Sequence, residues 1–140
     1  MQKIIPSKIG KSDGSGADIA VASTANVWSR SHKIAFGGVF CLSYRSKSYT
    51  GTPDIDLYLE QTHIDPALGS TGEGVIGDVD NGWVIPEGVS KIADITDENW
   101  HQIALSPTVL PYLRFLCDGQ GSNPADCTLE LVLSQQELFQ

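Results

Sequence analysis

The chain has 140 residues, 9 basic against 17 acidic for a formal charge of −8, 41% hydrophobic residues, 14 glycines and 7 prolines. That length suits one domain able to bury roughly two-thirds of its unfolded surface, and the composition excludes a disordered chain and argues against a helical bundle. Its acidity withholds the positive surface that nucleic acid needs, and no apolar run approaches a membrane span.

Residues 1–17 are rich in Gly, Ser and Lys, and Lys3, Lys8 and Lys11 precede any acid. They read as a flexible N-terminal arm, extended or disordered, before a single folded domain over residues 18–140. The start Met1-Gln-Lys-Ile-Ile-Pro is too short in apolar residues for a secretory leader, so synthesis and folding in a reducing cytoplasm are expected.

Asp18 to Thr24 is a short strand candidate, and His32 to Tyr44 a longer one interrupted at Gly37-Gly38. Beyond those glycines Phe40, Leu42 and Tyr44 share one face, and Val39, Cys41 and Ser43 the other. Asp54 to Glu60 has the cleanest period of two: Ile55, Leu57 and Leu59 inward, Asp56, Tyr58 and Glu60 outward. Asp65 to Gly82 is Gly, Asp, Ser and Thr and reads as a long surface loop, with a brief strand at Val75-Ile76 as an option. Trp83 to Ile85, Val89 to Ile95 and Trp100 to Leu105 are further short strands, and Ser106 to Pro111 is a connection.

Tyr112 to Leu133 then reads as an antiparallel hairpin. Leu113, Phe115 and Cys117 share a face in its first arm, and Cys127, Leu129, Leu131 and Leu133 in its second. Between the arms, Asp118-Gly-Gln-Gly-Ser-Asn-Pro-Ala-Asp126 turns the chain. In that register Cys117 stands opposite Cys127, which leaves two readings of the three cysteines: a cross-strand disulfide with Cys41 free, or three small buried hydrophobes. About seven or eight short strands with regular turn chemistry predict an all-β antiparallel sandwich or jelly roll.

Chemistry-bearing patterns are sparse. Asp78, Asp80 and Gly82 open like a calcium loop, but Val89 stands where that motif needs a bidentate glutamate, so an ordinary turn is expected. His32, His63 and His101 lack metal-ligand spacing. Asp54, Asp56 and Glu60 share a strand face, the usual exposed acids of a half-buried strand rather than a catalytic pair. No nucleophile elbow, phosphate loop or dinucleotide fingerprint is present. A non-enzymatic protein without cofactor or metal is expected. Trp28, Trp83 and Trp100, with Tyr49 and Tyr58, suit either a core or interface plug or a sugar-stacking platform.

Asp54-Ile-Asp-Leu-Tyr-Leu-Glu60, Asp97-Glu-Asn-Trp100, Pro111-Tyr-Leu-Arg-Phe115 and Gly119-Gln-Gly-Ser-Asn-Pro-Ala-Asp126 before an alternating last strand together resemble small β-rich structural proteins of tailed bacteriophages. The likeness spans about residues 54 to 134, and the chain departs from it at Cys117, Cys127 and the Asp65 to Gly82 loop. The resemblance implies a virion structural protein, a capsid decoration (cement) protein made in the host cytoplasm. Its implied partners are the major capsid protein and itself, as a homotrimer, with neither nucleic acid nor membrane. The arm around Lys3, Lys8 and Lys11 would anchor it to the shell. The alternative is a tail or fibre component, or a carbohydrate-binding module, recognising glycans through Trp28, Trp83 and Trp100.

Overall fold

A computed structural model describes residues 2–12, 14–34, 39–47, 49–63, 82–85, 91–105 and 112–138. Among them are ten strands: β1 (Gln2–Ile9), β2 (Ile19–Ala20), β3 (Asn26–Trp28), β4 (His32–Lys33), β5 (Val39–Lys47), β6 (Ile55–Thr62), β7 (Ala93–Ile95), β8 (His101–Leu105), β9 (Tyr112–Gly119) and β10 (Thr128–Leu138). No helix among the described residues is long and apolar enough to cross a membrane. Most of the Asp65 to Gly82 loop, the Val75-Ile76 strand, Asp78 and Asp80 of the calcium-like turn, Gly37-Gly38 and Ser106 to Pro111 lie outside the described residues.

The strands form two antiparallel sheets packed as a β-sandwich, the predicted fold class. The first sheet runs β1-β10-β5-β8, with β2 also on β10. The second runs β3-β9-β6-β7, with β4 also on β9. Alternation decides what each strand gives the core. Phe40, Leu42 and Tyr44 of β5 and Leu129, Leu131 and Leu133 of β10 meet Ile55, Leu57 and Leu59 of β6 and Leu113, Phe115 and Cys117 of β9. Each Leu, Ile and Phe among them contributes roughly 1.5–3 kcal/mol by leaving water.

Three expectations are corrected. The hairpin does not form: β9 lies between β6 and the β3/β4 pair in the second sheet, whereas β10 lies between β1 and β5 in the first. The Asp118–Asp126 segment therefore crosses from one sheet to the other. An alternating strand has the same inward face whether its neighbour in sequence is beside it or across the core, so the faces were legible and the partner was not. Cys117 and Cys127 are thus free thiols in the common core, not a pair across a ladder.

The segment from His32 to Tyr44 is not one strand but two, β4 in the second sheet and β5 in the first. Lastly, the leader is not an arm over its whole length. Gln2–Ile9 pairs residue by residue along β10, from Gln2 opposite Leu138 to Ile9 opposite Leu131, and Ile9 is buried in the core. Pro6 is tolerated there because, among the described residues, β1 has a neighbour on one side only.

Candidate functional site

The outer face of the second sheet carries a buried polar cluster. Arg114 of β9 stands opposite Glu60 of β6, and Leu116 stands between Trp28 of β3 and Tyr58 of β6. These side chains point away from the core, yet Glu60 is fully buried and Arg114 nearly so. What covers them is residues 82–85, where Val84 exchanges two backbone hydrogen bonds with Gln61 of β6, past the end of that strand's pairing with β7. That pairing sets Trp83 over the sheet, with the Arg114 guanidinium 4.4 Å from its ring centroid and 5.5 Å from that of Trp28.

Arg114 Nε–H donates to Glu60 Oε1 at 2.6 Å, and Trp28 Nε1–H donates to the same oxygen at 3.0 Å. A charge pair removed from water persists only when its remaining hydrogen-bonding capacity is met. Arg114 Nη2 is buried without a partner among the described residues. It belongs to a side chain lining a cleft of about 40 Å³ with Ser12, Trp28, Ser29, Arg30, Ser31 and Trp83.

A second group of acids lies lower on the same face. Asp56 stands opposite Asp94 on one side and Asp118 on the other, an unfavourable registration of like charges. Asp54, Asp56 and Asp94 bring carboxylate oxygens within 4.8 Å of one another. Lys91 already supplies the cation, its Nζ 3.2 Å from Asp56 and 3.5 Å from Asp94, while Ser122 donates to Asp54. The strand face expected to hold Asp54, Asp56 and Glu60 is thereby split, since Glu60 pairs with Arg114 instead. His101 stacks on Tyr44 and meets Asp97 at 2.7 Å, His32 is on β4, and His63 is exposed.

The outer face of the first sheet is different. An ionic chain crosses it from Lys8 to Asp18 (2.8 Å), Lys47 (2.6 Å), Glu130 (3.0 Å) and Arg45 (3.1 Å). Arg45 ends 4.7 Å from the ring centroid of Trp100. Beside this chain, Pro6, Ser134, Cys41 and Ala104 form one cross-strand row without charge, and Lys8, Val132, Ser43 and Gln102 the next. Ser43, Trp100, Gln102 and Val132 line a shallow groove of about 260 Å³. Trp100 is 46% exposed and Ile4 67%.

No protein-family model and no curated protein matches this chain. Geometry alone therefore sorts the residues singled out from the sequence. Trp28 and Trp83 are buried, which removes them from any sugar platform, because stacking requires an open ring face. Trp100 alone of the three is open. Lys8 is committed to Asp18, and Lys11 pairs through its backbone with Ser29. Lys3 stands opposite Glu137 in β1, and its side chain lies outside the described residues. Arg114, Arg30 and Arg45 were not singled out. A signal for the first existed in Leu116, an apolar residue on the outward face of β9, since such a residue implies that something covers that face.

Proposed function

We propose that the chain is a non-enzymatic virion structural protein, a decoration protein seated on the outside of a capsid across junctions between its subunits. The observation that carries this is the outer face of the first sheet, where one uncharged cross-strand row spanning β1, β10, β5 and β8, and a second that is uncharged from β10 to β8, lie beside the exposed Trp100 and Ile4. A flat, low-charge face with an aromatic anchor is what protein partners bury, the charged row forming its rim. Bound there, the sandwich stabilises the shell by mass action, because it adds buried area only to the assembled state. Homotrimers would match local three-fold positions of such a shell.

Anchoring then falls to this face rather than to a free lysine arm, since Gln2–Ile9 is an edge strand. Immunogold labelling of intact particles, with antibody raised against the purified protein, tests the proposal. Label spread over heads supports it, and label confined to tails or absent from particles removes it. Trp100→Ala and Ala104→Asp should each weaken particle binding at least about tenfold with the fold unchanged.

A second reading rests on the same indole. Arg45 holds the Trp100 ring beside Ser43 and Gln102, so an open aromatic face and polar neighbours meet in one groove, as glycan stacking requires. Glycan-array binding lost in Trp100→Ala would favour a tail or host-recognition role. A blank array would leave the decoration proposal alone.

A further inference from the structure

We propose that the cleft between Arg30 and Arg114 binds a small monovalent anion, a halide or the carboxylate of a short organic acid. The inference is independent of the surface invoked for capsid binding, because the cleft lies on the other sheet.

Charge comes first. Two guanidiniums line the cleft, and one carboxylate, Glu60, is committed to Arg114 from outside it. The three groups sum to one positive charge, carried by the half-buried Arg30, so the cleft attracts a monovalent anion.

Donor capacity comes second. Arg114 is 3% exposed and spends its Nε–H on Glu60, while its Nη2 has no partner among the described residues. Arg30 is pinned at the rim, donating to the Lys8 carbonyl at 2.8 Å and the Ser31 carbonyl at 3.3 Å. Ser29 is spent, because its hydroxyl donates to the Arg30 carbonyl and accepts from the Phe115 N–H. Ser12 and Ser31 complete the lining. A buried guanidinium nitrogen with unspent N–H groups is a donor, and donors recognise anions.

Size comes third. About 40 Å³ holds one small ion and is far below the roughly 300 Å³ of a pocket for a drug-sized ligand. The indoles of Trp28 and Trp83 wall the guanidinium from bulk water, which strengthens its attraction for the anion.

The experiment is a titration of the full chain with sodium formate or sodium chloride, with sodium gluconate holding ionic strength constant because gluconate is too large to enter. Thermal melting and the indole N–H resonances are followed. Formate or chloride should raise the melting temperature by about 3–5 °C at tenfold excess over its dissociation constant. The Trp28 and Trp83 indole signals should shift while that of Trp100, on the opposite sheet, stays in place. The larger response identifies the anion as carboxylate or halide. Arg30→Gln should lose at least 80% of the anion-induced rise, about the whole of it, whatever its own starting stability. No rise over gluconate, equal shifts at all three indoles, or a full rise in the Arg30→Gln variant would each overturn the proposal, leaving a cleft that holds only water.

Discussion

Asn123 donates from Nδ2 to the carbonyl of Val21 at 2.7 Å, joining the segment that crosses between the sheets to the chain beyond β2. Its Oδ1 accepts the backbone N–H of Asp54 at 3.0 Å, so one buried side chain clamps three separate stretches. Nearby, Gly119 approaches Ser23 so closely that a Cβ would collide with the Ser23 carbonyl oxygen. Those contacts make Asp118–Asp126 a crossing rather than a turn.

Asn123→Ala strands the Val21 carbonyl and the Asp54 N–H. The expected loss is about 2–4 kcal/mol, from the cost of unsatisfied buried groups, read as a lower urea midpoint at unchanged slope. Gly119→Ala should also destabilise, since backbone rather than a flexible side chain must yield. Either variant at wild-type midpoint would contradict the clamp.

Removing one member of the Glu60–Arg114 pair leaves the other charged and buried. Glu60→Gln and Arg114→Met should each cost about 3–5 kcal/mol. The double variant Glu60→Gln with Arg114→Met should cost well under the sum of the two, because no orphan charge remains. A double-mutant cycle by chemical denaturation measures the coupling.

The three thiols are free and differently placed. Burial pushes the Cys117 thiol far above its ordinary value, and burial followed by Asp126 pushes Cys127 up to about 11. Few thiolates exist at either near pH 8, and Cys41, half-buried on the outer face, meets reagent first. A thiol-reactive dye should label one cysteine quickly in the native protein and three in denaturant. Reductant should leave the melting temperature unchanged.

Acid should lower the protein's stability over two pH ranges. His32 is held below its ordinary 6.5 by burial and then by Arg30. The unfolded chain takes that proton first, so stability present above pH 6.5 declines as pH falls until folded His32 is also protonated. Burial works to raise Asp18 and Glu130, but Lys47 and Lys8 for the first, and Lys47 and Arg45 for the second, hold both below their ordinary 3.8 and 4.5. Their contribution is complete above those values and is lost as pH drops through the folded ones. Melting temperature against pH should show a shallow fall below about 6.5 that His32→Gln removes. A steeper fall below about 4.5 should be lessened by Asp18→Asn with Glu130→Gln.

Truncation before Gly10 should damage the fold rather than release an arm. It deletes the strand beside β10 together with Ile9, whose replacement by Ala alone should cost about 2–5 kcal/mol. A truncated chain with wild-type melting would restore the arm.

Sequence alone determined the class of fold and the inward residues of β5, β6, β9 and β10, because a side-chain period of two is a local property of extended chain. It also placed Asp56, Tyr58 and Glu60 on one outward face. Only tertiary structure decided that Leu113 and Leu131 lie in different sheets, that Glu60 and Arg114 share one buried bond, and that Trp83 covers them while Trp100 stays open. Those facts depend on which strands pair across long stretches of chain, and strand alternation specifies a face without naming the partner that will lie beside it.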